Sequence, residues 1–414
     1  MDEILHYAPD IVALQELDRL ATDHAPRLRP RYGYVYFRGY ASKQHGLAIA
    51  YRSDLFEVEH VLTIRLDDVA LDTPLETLRG LSRNSTDTLE CDPPLPECDE
   101  VAMPALSLPS REQIGATRVT RNVALIVALK RRDEFGQGVV IATTHTFWHP
   151  HFAYERTRQC AIVARALVGL QREIAPHWPA FLAGDLNSQP CDAAYAMLIG
   201  APWTPDQTAQ IEQGAVVHST LDAKWADQAQ GDAEGEDEDD EAAAADANGE
   251  GEAATGVKGA RKPHAGDGII ADAAAWRARL DELGGVARFE SAYGSHFETR
   301  QGKRYMDRPP QVHRTLHVPS EEDSLAAARV DEPLSLSRDE HIARGSFEPI
   351  WTNFTPQIRC TLDYILQVVP PGGPLATTAL LDVHATATLA RDGGLPRLNL
   401  EPSDHIALAA RYQW

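Results

Sequence analysis

The stretch FLAGDLNSQP, residues 181–190, decides the fold because it places reactive side chains directly after an apolar segment. Residues 181–183 predict the end of a short buried strand, after which Gly184 lets the backbone turn sharply. Asp185 and Asn187 then fall at the carboxyl end of the strand, where α/β sheets usually expose reactive groups. At this spacing they offer a metal ligand or base beside a neutral donor for a phosphate oxygen. Taken alone the motif is typical of a turn, so its interpretation depends on the rest of the chain.

Length and composition are those of a globular protein. The chain has 414 residues, enough for one large or two ordinary domains, and 43% are hydrophobic. The five cysteines are odd in number and scattered, which argues against a disulfide framework or a zinc site. No stretch reaches about 18 consecutive apolar residues, and the first ten residues lack the pattern of a signal peptide. We therefore expect an intracellular protein without a membrane partner, located in the cytoplasm, the nucleus or both.

More than half of the negative charge is concentrated in one segment. The formal net charge is -22, and residues 227–252 hold twelve acidic residues and no basic one. A segment of Ala, Gly, Glu and Asp cannot bury a core, so we predict a solvated, disordered insertion there. It is either an inert linker, the stronger prediction, or a docking site for basic protein partners. Because the charge is so localised, net charge does not exclude a nucleic-acid substrate.

Several other apolar segments also end in, or carry, polar side chains. Residues 10–14, 139–144 and 360–369 predict buried strands, and 402–414 predict a turn followed by a closing strand. A carboxylate at the end of an apolar strand is costly unless it is solvated, paired or bound to a cation. Together with the opening motif, these segments supply the candidate residues Glu16, His145, Asp185, Asn187, Asp363, Asp404 and His405.

Periodicity elsewhere predicts one mixed α/β domain, residues 1–414. Strands are expected at 33–37, 47–51, 55–65, 122–130 and 377–385, and helices at 1–9, 154–170, 192–199 and 271–283. We expect the strand at 55–65 to form a hairpin with its predecessor, and the strands at 122–130 and 139–144 to pair. Three insertions interrupt the pattern: a proline-rich surface loop at 67–118, the acidic segment at 227–262 and a polar loop at 303–341.

The candidate side chains suit in-line displacement at phosphorus. Four carboxylates, two imidazoles and a carboxamide around one cleft can bind cations that neutralise a phosphate and lower the pKa of an attacking water. A general acid or base then moves the protons. Serine-nucleophile chemistry fits less well, since the chain contains no G-x-S-x-G motif, and it also has neither a P-loop nor a dinucleotide fingerprint.

Five ordered motifs resemble the endonuclease/exonuclease/phosphatase superfamily. They are LQELD at 14–18, TH at 144–145, GDLNSQP at 184–190, LDYI at 362–365 and SDH at 403–405. HGLAIAYR, THTFWHPHFAYERTRQ and TNFTPQIRCTLDYI are similar to the branch of poly(A) deadenylase catalytic subunits, nocturnin and Ngl-type RNA exonucleases, and THTFWHP is most similar to the Ngl-type members. The resemblance implies a four-layer α/β/β/α sandwich whose cleft depends on one or two Mg²⁺ ions, with Mn²⁺ as a substitute.

The resemblance also implies roles at the metal and the phosphate. Glu16 and Asp404 would bind or lie close to the metal together with Asp185. Asp185 would also orient or deprotonate the attacking water. Asn187 would hold the scissile phosphate, and His145 would stabilise charge on the phosphoryl oxygens.

The remaining implied roles concern the second histidine and the substrate base. Asp363 would pair with His405 and keep it cationic against the phosphate. Pro150 matches a proline that flanks the terminal base in the deadenylases. Ile358 stands where those enzymes commonly carry a stacking phenylalanine, and an aliphatic side chain loses much of the ~1–3 kcal/mol that stacking supplies. Poly(A) preference is therefore a weaker expectation than RNA cleavage.

The predicted function is a Mg²⁺-dependent 3′→5′ exoribonuclease that hydrolyses single-stranded RNA to nucleoside 5′-monophosphates. One alternative keeps the site but changes the substrate, as in nocturnin-like hydrolysis of a dinucleotide or another small phosphorylated metabolite. A second alternative is a truncated, non-catalytic scaffold that binds basic partners through its acidic segment.

The beginning of this chain differs from the pattern of the family. Family members start with a strand that ends in an asparagine, whereas this chain starts inside the helix that follows. We therefore expect the first strand and a metal-site asparagine to be missing, as with an incomplete N-terminus. Such a gap would leave backbone hydrogen-bonding groups unpaired and a hydrophobic slot open.

Overall fold

A computed structural model describes most of the chain and gives the positions of its strands and helices. The described residues are 1–83, 88–94, 109–133, 136–228, 255–295, 304–306, 348–349, 351–381, 383, 389–390, 393–397 and 401–413. The strands are β1 (Ile11–Leu17), β2 (Tyr32–Phe37), β3 (Gly46–Arg52), β4 (Phe56–Arg65), β5 (Leu89–Asp92), β6 (Val123–Arg131), β7 (Gly138–Thr144), β8 (Ala180–Asp185), β9 (Val217–His218), β10 (Ala260–Arg261), β11 (Phe289–Ser291), β12 (Arg304–Met306), β13 (Asn353–Phe354), β14 (Arg359–Cys360), β15 (Asp363–Val368), β16 (Ala376–Leu381) and β17 (Ala410–Gln413). The helices are α1 (Asp2–Tyr7), α2 (Ala25–Leu28), α3 (Leu75–Arg83), α4 (Arg111–Ile114), α5 (Ala153–Ile174), α6 (Ala193–Leu198), α7 (Pro205–Gly214), α8 (Ser219–Gln228) and α9 (Ala273–Glu282).

Two sheets form the centre of the fold. The first has the strand order β1-β3-β2-β5, and the second has the order β11-β15-β8-β7-β6-β4. Within the second sheet β7 and β8 are parallel, with α5 between them in the chain, while the other described pairings are antiparallel. In this described part of the protein, no helix is both long and apolar enough to cross a bilayer.

The two sheets and their helices stack as four layers. On β2, Phe37 belongs to an inner core with Leu125 of β6, whereas the neighbouring Tyr36 packs on the opposite face with Leu28 of α2. On β6, Ile126 points away from the inner core into a third core shared with α5 and α6. Successive strand residues face opposite sides of a sheet, so each sheet separates two cores. This order of helix, sheet, sheet and helix confirms the α/β/β/α sandwich.

One end of the first sheet lies at β1. Among the described residues β1 pairs only with β3, and β3 continues the sheet to β2. Residues 11–14 of β1 are apolar but only half-buried. β1 is therefore an edge strand in the part of the chain that the structure describes.

The segment at 67–118 was expected to be an irregular surface loop, and this is wrong for its described parts. It contains α3, β5 and α4, and β5 pairs with β2 to extend the first sheet. Its prolines lie between these elements: Pro74 immediately precedes α3, Pro93 follows β5 and Pro109 precedes α4. Proline is compatible with such positions, so its presence did not exclude regular structure. Of the other insertions, residues 229–254, 303 and 307–347 lie outside the described residues. Their described parts include β10 and β12, so the expectation of irregular chain is wrong there.

The strand at 55–65 also pairs differently from the expected hairpin. β4 does not pair with β3 but lies at the edge of the second sheet, antiparallel to β6 over nearly its whole length. Val61 contacts the inner core, whereas Leu62 enters the core beneath α5. Apolar side chains on both faces suit a strand of the second sheet, which separates those two cores. The predicted β6–β7 pairing is confirmed.

Candidate active site

The opening motif lies on β8, but its glycine serves close packing and not a sharp turn. Gly184 lies inside the strand, and a Cβ atom built there would come within 2.4 Å of the carbonyl oxygen of Thr144 on β7. Only glycine lets the two backbones approach this closely at the strand ends. The expected turn is therefore one residue later, after Asp185, where β8 ends.

Strand register brings the candidate residues of three strands together. Asp185 on β8 lies directly opposite Asp363 on the antiparallel β15. On the other side of β8, His145 forms an isolated parallel bridge with Asp185 immediately after β7 ends. The Nε2 atom of His145 is 3.5 Å from Oδ2 of Asp185. Residues far apart in the chain therefore meet at one edge of the second sheet.

An irregularity in β1 directs Glu16 to the same edge. The register of β1 against β3 shifts between Leu14 and Leu17, and Glu16 has a positive φ of 52°. Such a bulge changes the direction of a side chain, and its cost is offset by the surrounding structure. The Glu16 carboxylate, whose side chain is 64% exposed, lies 3.6 Å from Nδ1 of His145. The imidazole of His145 thus lies between Glu16 and Asp185.

Asp363 and His405 form an ion pair at the centre. His405 Nδ1 lies 2.7 Å from Oδ2 of Asp363, and Thr352 donates its hydroxyl to the same carboxylate oxygen. Burial alone would lower the pKa of His405, but the hydrogen bond to Asp363 and the nearby carboxylates outweigh it and raise this pKa to about 9. His405 is therefore a cation at neutral pH. Its Nε2 atom faces Oδ2 of Asp185 at 3.9 Å.

Asp185 is a buried carboxyl that titrates close to neutrality. Burial raises its pKa, the His145 imidazole lowers it, Asp363 raises it and His405 lowers it, with a net pKa of about 6. Its Oδ1 atom also accepts a hydrogen bond from the backbone of Asn187 at 2.8 Å. A carboxylate with this pKa is suited to act as a base near pH 7.

The other predicted site residues lie around this centre. Asn187 has a positive φ of 43° and donates its side-chain amide to the carbonyl of Thr146 at 2.8 Å. Asp404 accepts a hydrogen bond from the amide of Asn353 at 2.9 Å, and Asn353 also forms a backbone bridge with His405. Asn187 and Asp404 are therefore each fixed by a hydrogen bond of a neutral side-chain amide, next to the charged groups.

Pro150 and Ile358 lie on two loops that border the site. Pro150 begins a single 3₁₀ turn that leads into α5, and its carbonyl accepts a hydrogen bond from Arg156. Ile358 lies in the turn of the hairpin formed by β13 and β14, where its backbone is bonded to Thr355, and it is 56% exposed. The β13 strand of this hairpin carries Asn353, which links the turn to Asp404.

The donor atoms suit a hard divalent cation. Glu16, Asp185 and Asp404 carry carboxylate oxygens, the donor type that Mg²⁺ prefers, and of these three Asp185 belongs to a described cluster of possible ligand atoms. The buried Oδ1 of Asn353 has no hydrogen-bond partner among the described residues, so it is a further oxygen donor beside Asp404. The ligand atoms of Asp185, Asp363 and His405 all lie within 4.8 Å of one another. A protonated imidazole has no lone pair with which to bind a metal. We therefore assign His405 and Asp363 to an ion pair that faces Asp185, and not to a metal site.

Sequence patterns missed several polar residues that support the site. Thr352 and Asn353 hold Asp363 and Asp404, and Asn122 donates its amide to the carbonyl of His145 at 2.8 Å. Burial lowers the pKa of His45 most strongly, Lys43 lowers it further, and Glu16 raises it, so this histidine also lies near the site. Asn122 is the first residue of the predicted strand at 122–130, and His45 comes shortly before the predicted strand at 47–51. A polar residue at a strand end was the signal in the sequence for a role at the site.

The first half of the chain, which carries four of the candidate residues, matches a known protein family. The model of the Endonuclease/Exonuclease/phosphatase family matches residues 1–214, slightly more than half of the chain. The matched part includes β1 with Glu16, the end of β7 with His145 and the β8 motif with Asp185 and Asn187. The chain therefore belongs to this family, which confirms the relationship inferred from its short motifs.

Individual relatives match about half of the chain. A probable RNA exonuclease of Schizosaccharomyces pombe is 28% identical over 203 residues, which cover 49% of this chain and 32% of that protein. The RNA exonuclease NGL2 of Saccharomyces cerevisiae is 28% identical over 227 residues, covering 49% and 36% respectively. This chain thus spans about a third of the length of these relatives. Among solved structures, the catalytic domain of human nocturnin aligns with all of this chain and 84% of its own at 16% identity, with a TM-score of 0.45.

Proposed function

We propose that this chain is a Mg²⁺-dependent 3′→5′ exoribonuclease that releases nucleoside 5′-monophosphates from single-stranded RNA. The observation that carries the proposal is the alignment of Asp363, His405 and Asp185, with His145 and Glu16 on the other side of Asp185. The family supports hydrolysis at phosphorus, and the names of the two yeast relatives support RNA as the substrate.

In this proposal His405 binds the scissile phosphate. Asp363 holds Nδ1 and keeps the ring protonated, so Nε2–H remains directed towards the centre as a charged donor. Charge-assisted hydrogen bonds to phosphate oxygens are about twice as strong as neutral ones. Preorganised donors stabilise the charge that develops on the phosphoryl oxygens in the transition state.

Asp185 acts on the attacking water. Its carboxylate lies between two imidazoles, and its pKa of about 6 leaves it largely ionised at pH 7.5. It therefore orients the water and accepts its proton as the water oxygen bonds to phosphorus and the bond from phosphorus to the 3′ oxygen breaks. The leaving 3′ oxygen takes its proton from solvent. In this proposal the second side-chain N–H of Asn187 and the imidazole of His145 donate to the phosphoryl oxygens.

The proposed metal position lies where Glu16, Asp185 and Asp404 would supply oxygen ligands. When bound, Mg²⁺ would neutralise the phosphate and lower the pKa of the attacking water. His145 lies between the carboxylates of Glu16 and Asp185, at 3.6 and 3.5 Å. The exposed Glu16 side chain has the freedom to complete such a site.

The test is to incubate the full chain with a 20-nucleotide RNA that carries a 5′ fluorophore, with Mg²⁺ or with EDTA. We expect a ladder of progressively shorter labelled products with Mg²⁺ only, and nucleoside 5′-monophosphates by chromatography. Comparing A20, U20 and C20 measures any adenine preference. Asp185→Asn should abolish the ladder, while Asp206→Asn, an exposed carboxylate on α7, serves as the matched control.

Other outcomes would contradict the proposal in distinguishable ways. Immediate release of a labelled mononucleotide would show the opposite direction of cleavage. Phosphate release from NADPH without shortening of RNA would support the small-metabolite alternative. A folded chain that neither binds Mg²⁺ nor hydrolyses any of these substrates would support the scaffold alternative.

A further inference from the structure

Two large apolar side chains are strongly exposed in the described part of the protein, and both lie beside the site. Trp148 is 53% exposed and Ile358 is 56% exposed. Trp148 follows His145 by three residues, so its Cα lies within about 11 Å of the His145 Cα. Ile358 lies in the hairpin turn whose β13 strand contacts Asp404 and His405. These two exposed apolar side chains therefore lie on segments next to the catalytic candidates.

The backbone that carries Trp148 is firmly fixed. The Arg156 guanidinium donates to the carbonyls of Phe147, His149 and Pro150, so it binds the peptide groups on both sides of Trp148. On the preceding side, the Phe147 N–H is bound by the side chain of Gln159 at 3.1 Å. The indole makes tilted ring contacts with its neighbours Phe147 and His149, at 6.3 and 5.1 Å between centroids, and these hydrogen bonds fix the backbone around it.

The anchoring of the loop to the core depends on a different aromatic residue. Phe147 is 4% exposed and packs edge-to-face on Phe152, with ring centroids 5.3 Å apart. Burial of such side chains, and not exposure of a neighbouring indole, stabilises a loop. An indole that is half exposed on a rigid backbone beside a catalytic centre therefore indicates a ligand contact.

We propose that Trp148 is a stacking platform for one base of single-stranded RNA close to the scissile bond. This inference rests on the proposed function, since the occupant is identified by the continuity of the platform with the phosphate site. Every nucleobase has a flat aromatic face, so stacking on an indole binds the strand without reading its sequence. Ile358 offers an apolar surface but no aromatic face. Stacking is therefore supplied from the loop after β7, and the β13–β14 hairpin contributes only apolar contact.

A scan with abasic oligonucleotides tests the proposal. A series of RNA 8-mers would carry one abasic ribose at positions one to four from the 3′ end, and the dissociation constant of each would be measured by anisotropy in EDTA. For the unmodified strand we expect Trp148→Ala to weaken binding about tenfold, and Trp148→Phe to restore most of the affinity. Glu59→Ala, an exposed change on the distant edge strand β4, is the control.

The losses of binding affinity caused by removing the indole and by removing the contacted base should not be additive. Removing the base at that position should weaken binding to the parent protein by a similar factor, and Trp148→Ala should cause little further loss. If Trp148→Ala weakens binding equally for every strand, or not at all, the platform is disproved. Cleavage of the same strands in Mg²⁺ is measured separately, so absent cleavage with Trp148-dependent binding would reject the nuclease proposal and leave the platform standing.

Discussion

At the scale of single residues, Asp363 determines the charge at the site. It lies opposite Asp185 in the sheet and accepts hydrogen bonds from both Thr352 and His405. Without this carboxylate, burial would favour a neutral imidazole, because desolvation is the largest single influence on His405 and lowers its pKa. The cationic state of His405 is thus a property of the pair.

Replacing Asp363 with Asn should therefore change the pH dependence of hydrolysis. The pKa of His405 is raised to about 9, so the cation is present at neutral pH and is lost as pH rises through about 9. In Asp363→Asn we expect this alkaline limb to move down towards about 6.5, with kcat at pH 7.5 reduced about 100-fold. Profiles of kcat against pH for both proteins provide the measurement.

Thr352→Ser is the matched control, because it retains the hydroxyl that binds Asp363. Its alkaline limb should stay near pH 9. An unchanged limb in Asp363→Asn would show that His405 does not act as a cation. The acid limb should lie at or below about pH 6 in the parent, because a bound cation lowers the pKa of Asp185.

At the scale of elements, α5 connects the two parallel strands of the site and buries charge in its first turns. Glu155 is 0% exposed and accepts from Arg158 and from the Thr117 backbone. Arg158 in turn donates to the carbonyls of Leu66 and Val69 in the segment after β4. This network attaches two chain segments, at residues 66–69 and at Thr117, to the helix that also carries Arg156 and Gln159.

Removing one partner of this buried pair should destabilise the fold strongly. Glu155→Gln leaves the Arg158 guanidinium without its counter-ion, and we expect a loss of about 3–5 kcal/mol in the free energy of unfolding. Glu173→Gln, at the exposed end of the same helix, removes a surface ion pair with Arg79 and should cost about 1 kcal/mol or less. Urea denaturation distinguishes them; equal, small effects would contradict the structural role assigned to Glu155.

The sequence predicted several of these helices and strands, but not the contacts between them. The apolar spacing at 154–170 predicted α5, and the apolar segments before Glu16, His145 and Asn187 predicted the strands that deliver them. The burial of Arg158 was not predictable, because two of its partners are backbone carbonyls 89 and 92 residues away in the chain. Asn353 was missed for a similar reason, since β13 is only two residues long and is defined by pairing with β14.

At the scale of the whole molecule, the described cores are built from sheets and helices that come before and after the acidic segment in the chain. The chain enters it after α8, and β10 pairs with β9 once the described chain resumes. The described cores that position the site draw on the sheets and on α2, α5 and α6, so we predict that stability does not require the acidic residues. Their charge nevertheless repels a polyanionic substrate at long range.

Replacing residues 229–254 with a short Gly-Ser linker should therefore separate folding from substrate capture. We expect Tm to change by less than about 2 °C, because no core is altered. The KM for RNA should fall several-fold at low salt and converge with that of the parent at high salt, where long-range repulsion is screened. A large fall in Tm, or a KM unaffected at every salt concentration, would contradict this view.

The proposed function requires one centre at the strand ends that holds a divalent cation and hydrolyses RNA. The most direct measurement is the initial rate of RNA shortening against free Mg²⁺ for the parent, Glu16→Gln and Asp185→Asn, with thermal unfolding of each. We predict a saturating rate for the parent, a much higher Mg²⁺ requirement for Glu16→Gln and no activity for a folded Asp185→Asn. Activity that persists in EDTA, or an Asp185→Asn variant that cleaves RNA like the parent, would contradict the central claim.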